Sequence, residues 1–312
     1  MTLARAIELA GRGRRTAHPN PIVGAVVVRD GEVVGEGWHE RKGTAHAEVN
    51  ALVAAGERAR GATLYVTMEP CTHHGSTPPC TEAVLAAGVY RVVAGSLDPN
   101  PEARGGLEVL RAAGLDTELV DSFEARRLNE AWRTWVSLGR PFVTYKVAIT
   151  LDGRVAIPGE RWVSGEESRR LVHELRAASD AVAVGMGAVR ADDPRLDARG
   201  VDVHRQPRRL AFGHGPLPPG SELELRSGGL QDELVALADE GVQSLLLEGG
   251  PTLATAFLRA DLVDKLLLFV APRLAGTGPR WVEAPLEPRR LRRFTSERVG
   301  DDVLLTGYVH EP

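Results

Sequence analysis

The apolar positions of this chain switch repeatedly between a helical and a strand period. Leu3, Ala6, Ile7 and Ala10 share one face of a helix predicted over 2–12, and a β-branched run over 22–28 ends at Asp30-Gly31, a turn pair that makes 33–37 its hairpin partner. A helix is then predicted over 46–54, a buried strand over 63–67, a helix over 81–87, a strand over 89–94 and a helix over 107–113 closed by Gly114. A longer helical pattern with Phe123, Leu128, Trp132 and Trp135 follows, and Gly139-Arg140-Pro141 breaks it. Beyond that break the alternation restarts, with strands over 142–149, 181–185, 244–247 and 266–271 and helices over 168–178 and 253–259; the strand over 266–271 closes the pattern. Strands alternating with helices predict two α/β domains, 1–140 in three layers and 141–312 with a largely parallel sheet.

Composition fits that division. At 312 residues and 43% hydrophobic content the chain can fill two ordinary cores. A net charge of -4 gives no electrostatic footprint for nucleic acid or an anionic membrane, so small molecules are the expected partners. The longest apolar runs, around Leu245 and Leu266, are broken by charges or glycines before they reach the length of a membrane span. The N-terminus lacks a basic region followed by a continuous apolar stretch, so a cytoplasmic protein with reduced thiols is expected.

Those thiols are few and close together. The only cysteines, Cys71 and Cys80, lie downstream of His46-Ala47-Glu48, and Cys80 falls at or just before a predicted helix start, where a thiolate is electrostatically favoured. One imidazole and two thiolates make a three-ligand zinc site. Three protein ligands leave a position for water, as in catalytic rather than structural zinc, and Glu48 beside it can shuttle a proton. The set follows the zinc deaminase pattern His-x-Glu and Pro-Cys-x-x-Cys, except that the eight residues from Thr72 to Pro79 separate the cysteines. Buried apolar cysteines and a solvated Glu48 are the plainer alternative.

The second half carries weaker signals. Gly249-Gly250-Pro251-Thr252 joins a strand end to a helix start and leaves amides free for a phosphate or pyrophosphate; a tight turn is the alternative. Gly185-Met186-Gly187 is a lesser version. No G-x-G-x-x-G fingerprint follows the first strand, so a dinucleotide would have to bind in a fold other than the Rossmann type. Lys146, Asp152 and the pair Asp192-Asp193 read as solvated charges or caps unless the fold gathers them into one cleft.

Taken together, the motifs resemble one family over nearly the whole chain. His18-Pro19-Asn20-Pro21-Ile22-Val23-Gly24, His46-Ala47-Glu48, Glu69-Pro70-Cys71-Thr72-His73-His74-Gly75, Thr77-Pro78-Pro79-Cys80 and Asp98-Pro99-Asn100-Pro101 are similar to the deaminase half of the bifunctional riboflavin-biosynthesis deaminase/reductases. Lys146, Leu151-Asp152-Gly153-Arg154, Trp162, Arg176, Ala191-Asp192-Asp193-Pro194 and Glu248-Gly249-Gly250-Pro251 resemble the reductase half. The resemblance implies a cytidine-deaminase-like three-layer α/β/α domain followed by a dihydrofolate-reductase-like α/β domain, and the long interval between the cysteines is the family's own variant.

It further implies two reactions on one phosphoribosylated pyrimidine. The first is zinc-dependent hydrolytic deamination of 2,5-diamino-6-(5-phosphoribosylamino)pyrimidin-4-one, with His46, Cys71 and Cys80 on the metal, Glu48 as proton carrier, and Asn20 and His39 on the substrate. The second is NADPH-dependent reduction of the ribosyl chain to ribityl. For that step Lys146, Arg176, Leu196, Arg199 and Glu248 match substrate positions, and Trp162, Asp192, Gly249, Gly250, Pro251 and Thr252 match cofactor positions. A homo-oligomer, with neither nucleic acid nor membrane as partner, is expected. The chain departs from the family at Ser76, where a basic residue is usual, at Ala188 for a usual Thr, at Gly213-His214 for an Asp-Ser pair, in a shortened loop before Trp162, and in a shorter stretch between Phe212 and Leu234. A deaminase whose second domain is impaired or structural is therefore the alternative, and a nucleic-acid base deaminase a more distant one.

Overall fold

Glu32–Trp38 (β2) folds back on Gly24–Arg29 (β1) through Asp30 and Gly31, both at positive φ (51° and 83°), the geometry of a tight hairpin turn. The computed structural model describes residues 2–75 and 77–312. β1 also pairs antiparallel with Thr63–Val66 (β3), after which Arg91–Ala94 (β4) and Asp116–Leu119 (β5) add in parallel, giving the sheet order β2-β1-β3-β4-β5. Alternation along β1 separates the layers. Val26 meets Ala6 and Leu9 of helix α1 (Thr2–Ala10), while Ala25 and Val27 pack with Ala47, Ala51 and Leu52 of α2 (Ala47–Ala55). α3 (Cys80–Ala87) and α4 (Gly106–Ala112) contribute Val84, Leu107 and Leu110 to that second core.

The single helix predicted through Phe123 and Trp135 is two, α5 (Phe123–Leu128) and α6 (Glu130–Leu138). Asn129 divides them because its side-chain amide pairs with the backbone of Ile22, accepting from its N–H and donating to its carbonyl, both at 2.8 Å. β5 was not apparent in the sequence: Asp-Thr-Glu-Leu is a short, largely exposed edge with no apolar period.

The chain divides into two compact units, Met1–Leu138 and Gly139–Glu311. The second is built on the order β12-β13-β11-β6-β10-β7-β8-β9, from Phe142–Thr150 (β6), Ala181–Gly185 (β7), Arg208–Phe212 (β8), Glu224–Arg226 (β9), Ser244–Leu247 (β10), Lys265–Ala271 (β11), Arg292–Val299 (β12) and Asp302–Tyr308 (β13). The strands from β11 to β9 in that order run parallel; β13 and β12 are antiparallel additions. The strand over 266–271 therefore does not close the pattern. β12 is almost wholly exposed and polar, so this strand of the final hairpin carries no apolar run. β9, in the stretch after Phe212, is three residues long.

Helices cover both faces. Phe257 of α10 (Pro251–Arg259) and Leu234 and Leu237 of α9 (Leu230–Asp239) pack under Val143, Tyr145 and Leu245, whereas Val172 of α7 (Glu166–Ala178) meets Leu267 and Phe269, and Val189 of α8 (Met186–Asp192) meets Val182 and Leu246. No helix among the described residues is long and apolar enough to cross a membrane.

Candidate active sites

In the first unit, helix α2 can lie directly on β2 because residue 37 has no side chain: a Cβ on Gly37 would stand 2.5 Å from the Ala47 carbonyl oxygen and the Ala51 nitrogen. That contact sets the helix start, with His46 in extended conformation (ψ 164°) as its N-cap and Glu48, 3% exposed, in its first turn. Cys71 follows β3 on a loop held by Glu69, whose carboxylate accepts from the Asp98 and Leu107 N–H groups at 3.0 and 3.3 Å. Gly106 lets α4 close on that loop, since a Cβ there would be 1.7 Å from the Pro70 carbonyl oxygen. Cys80 opens α3, and its N–H donates to Cys71 Sγ at 3.4 Å.

These elements bring three ligand atoms together. His46 Nδ1 is 3.1 Å from Cys80 Sγ and 3.6 Å from Cys71 Sγ, and all three atoms lie within 4.8 Å of one another. Tetrahedral zinc with its usual bond lengths places such atoms about 3.5–3.8 Å apart, so the donor set and its spacing fit that ion. The cysteines are free and buried. Contact with Cys80 and His46 lowers the Cys71 pKa, the contact with Cys71 drives Cys80 upward, and the Cys71 contact raises His46. Burial pushes Glu48 up to about 7, poised to exchange a proton near neutrality.

A cavity of about 300 Å³ opens onto this group. Asn20 and His39 line it: Asn20 Nδ2 lies 3.4 Å from His39 Nε2, and His39 Nδ1 faces the Ala45 carbonyl at 3.3 Å, which places the proton on Nδ1 and leaves Nε2 to accept. Burial lowers the His39 pKa, in keeping with a neutral ring. Asp98, Asn100 and Trp132 also line the cavity and were given no role from sequence. Asp98 and Asn100 fall in the Asp98-to-Pro101 motif, and Trp132 in the helical pattern that follows. Burial raises Asp98 to about 6. Ser76 lies outside the described residues.

In the second unit, Lys146 of β6, Arg176 of α7 and Glu248 after β10 form a cluster. Arg176 grips both Glu248 oxygens at 2.6 and 3.0 Å, and Lys146 Nζ stands 3.7 Å from Oε2. Burial favours a protonated Glu248, but the Lys146 and Arg176 cations outweigh it and hold the carboxyl below its ordinary range; burial lowers Lys146. Buried Leu196 takes a left-handed backbone (φ 52°), and the next carbonyl, on Asp197, accepts from Arg176 at 3.1 Å; the Asp197 carboxylate pairs with Arg199. Trp162, 49% exposed, shares a cleft of about 530 Å³ with Arg169, His173 and Arg199.

Other predicted positions lie apart from this cluster. Asp192 is exposed at the end of α8, with no bond to the other predicted residues. Asp152 clamps a loop, accepting from Thr150 Oγ1 at 2.6 Å and from the Ala275 and Gly276 N–H groups, and the Thr150 bond leads in holding it to about 2. Gly250 caps α10 with Pro251 in the first turn, and a Cβ on Gly250 would meet nothing within 4 Å. The amides of Gly249, Gly250 and Thr252 have no acceptor among the described residues, so the helix start fits an anion such as a pyrophosphate. Thr252 Oγ1 donates to Glu283 at 2.7 Å, which sets a carboxylate beside the same helix end.

Comparison with known proteins follows this division. The cytidine and deoxycytidylate deaminase zinc-binding region matches residues 1–96, and the RibD C-terminal domain matches 141–305. The riboflavin biosynthesis protein RibD of Aquifex aeolicus is 39% identical, covering 96% of this chain and 95% of that one; RibD of Escherichia coli is 41% identical over 89% of each. Among solved structures, Acinetobacter baumannii RibD superposes with a TM-score of 0.84 at 36% identity, covering 98% of this chain and 97% of that one. The Thermotoga maritima diaminohydroxyphosphoribosylaminopyrimidine deaminase/5-amino-6-(5-phosphoribosylamino)uracil reductase gives 0.82 at 33%, with the same coverage.

Proposed function

The chain belongs to the RibD family of riboflavin biosynthesis proteins, and on that premise we propose that its first domain, 1–140, deaminates a phosphoribosylated diaminopyrimidinone and its second, 141–312, reduces the product's ribosyl chain to ribityl. His46, Cys71 and Cys80 hold zinc. Bound there, zinc supplies the Lewis acidity that makes water nucleophilic near neutral pH. Asn20 and His39 orient the pyrimidine, and Glu48 takes a proton from the attacking water and delivers it to the leaving nitrogen, so that the bond between the ring carbon and its exocyclic amino nitrogen is replaced by C–O and ammonia departs. The observation that carries this reading is the convergence of His46, Cys71 and Cys80 beside a buried carboxylate.

In the second domain NADPH supplies a hydride for C1 of the opened ribose. Trp162, Asp192 and the segment 249–252 hold the cofactor; Lys146, Arg176, Leu196, Arg199 and Glu248 hold the substrate, with the two cations and Glu248 facing its hydroxyls and Arg199 its phosphate. The protein works in the cytoplasm, where its thiols stay reduced, and as a homo-oligomer; sedimentation at a monomer mass would remove the last element.

The test uses the zinc-loaded full chain with the diaminopyrimidinone and NADPH. Ammonia release followed by an equal loss of nicotinamide absorbance is the expected result. Ammonia without nicotinamide oxidation overturns the reduction, and the absence of both overturns the whole reading.

A further inference from the structure

Arg190 and His214 meet beyond the carboxyl ends of β7 and β8. In the second sheet β10 sits between β6 and β7; the chain leaves β7 outward to β8 and β9, but leaves β10 back across β6 to β11. Connections diverge there, and open α/β sheets bind ligands outside the carboxyl ends of strands at such a switch point. The segments after β10, β7 and β8 make a continuous rim. A Cβ on Gly185 would meet Leu253 of α10 at 3.4 Å, and one on Gly213 would meet Met186 of α8 at 3.2 Å. One end of this rim carries Glu248 and the free amides of α10. The other carries Arg190.

Arg190 is anchored without being neutralised. Its Nη2 donates to the His214 carbonyl at 2.7 Å, a contact that glycine at 215 permits, because a Cβ there would lie 3.0 Å from that nitrogen. Of the seven arginines within 190–226, Arg195, Arg199, Arg205, Arg208, Arg209 and Arg226 are each paired with an Asp or Glu; Arg190 has no carboxylate partner among the described residues. A guanidinium oriented by a neutral carbonyl, with its remaining N–H groups uncommitted, is a receptor for an oxyanion.

We propose that Arg190 selects NADPH over NADH by donating to the 2′-phosphate on the adenosine ribose. The inference rests on the reductase reading above and extends it from cofactor use to cofactor discrimination. The geometry fits the ligand: the 2′-phosphate belongs to the half of the dinucleotide far from the nicotinamide, and Arg190 stands at the end of the rim away from Glu248. Where NAD is used, an acidic residue typically binds the free 2′-hydroxyl; an arginine accommodates the phosphate.

Calorimetric titration of NADP⁺ and NAD⁺ into the zinc-loaded full chain tests this, comparing the parent protein with Arg190→Ala and Arg190→Lys. Loss of charged hydrogen bonds to the phosphate weakens NADP⁺ binding about tenfold in Arg190→Ala, while NAD⁺ binding stays unchanged and serves as the folding control. Arg190→Lys, which keeps the charge but not the fork, falls between. An undiminished preference for NADP⁺ in Arg190→Ala, or equal losses for both nucleotides, overturns the role of Arg190 and leaves the cofactor reading in place. A parent protein that binds neither nucleotide removes both.

Discussion

The zinc-type group of the first unit and the Lys146-Arg176-Glu248 cluster of the second solve opposite problems. The first gathers His46, Cys71 and Cys80 at two helix starts and one loop, and each of these side chains has few common uses when grouped with the others. The second gathers two cations and a carboxylate from a strand, a helix and a strand end, residue types that decorate every protein surface, and stands out only because the fold buries them together. Chemistry identifies the first; placement makes the second.

The largest expected effect tests the chemical half of this contrast. Glu48→Gln keeps the shape of the buried side chain and removes its ability to carry a proton, so deamination falls by about 10²–10⁴-fold, while metal analysis finds the zinc content of the parent. Retained activity would reduce Glu48 to a packing residue. Loss of zinc together with activity would show that the carboxylate acts on the metal site itself.

The same contrast explains what the sequence disclosed. His46, Glu48, Cys71 and Cys80 were legible because two cysteines and a His-x-Glu triplet in a cysteine-poor chain leave few readings, and the helices predicted over 46–54 and 81–87 fall on α2 and α3. Asn129 was not: its bonds to Ile22 span 107 positions, and nothing near it announces that it ends a helix. β12 and β5 are polar edges whose existence depends on a neighbour strand. Arg176 and Glu248 lie 72 positions apart, so family resemblance pointed to both, but only the fold gave their bidentate contact. Asp152 went the other way, a motif residue that proves to fasten a loop.

Placement is tested by Glu248→Ala. Removing the carboxylate strands Lys146 and Arg176 in a site where their side chains are 15% and 14% exposed, and breaking such a pair costs about 3–5 kcal/mol. The pH dependence has a definite sign. The folded-state pKa of Glu248 is lowered, so its contribution is present in full above the unfolded carboxyl pKa and is lost as pH falls through the lower folded value. Urea unfolding should therefore show a wide gap between parent and variant at neutral pH that narrows below a pH of about 4. A gap that is constant with pH would mean that lost packing, not charge, is what the substitution removes.

The smallest effect sits in the second unit, at the start of α10. Its amides suit an anion, and Thr252 already donates to the exposed carboxylate of Glu283, whose own N–H donates to Thr255 Oγ1 at 2.8 Å. A pyrophosphate arriving at that helix end meets a like charge. Glu283→Gln retains an acceptor for Thr252 and removes the repulsion, which for exposed charges is worth about 0.5–1 kcal/mol, so NADP⁺ binding strengthens about two- to fivefold. Because the repulsion is screened, the gain should shrink as salt rises from about 0.01 M to 1 M. Titrations at both salt concentrations decide the matter: unchanged or weaker binding at low salt would mean that the cofactor's phosphates do not rest on α10, and that this helix end belongs to the fold alone.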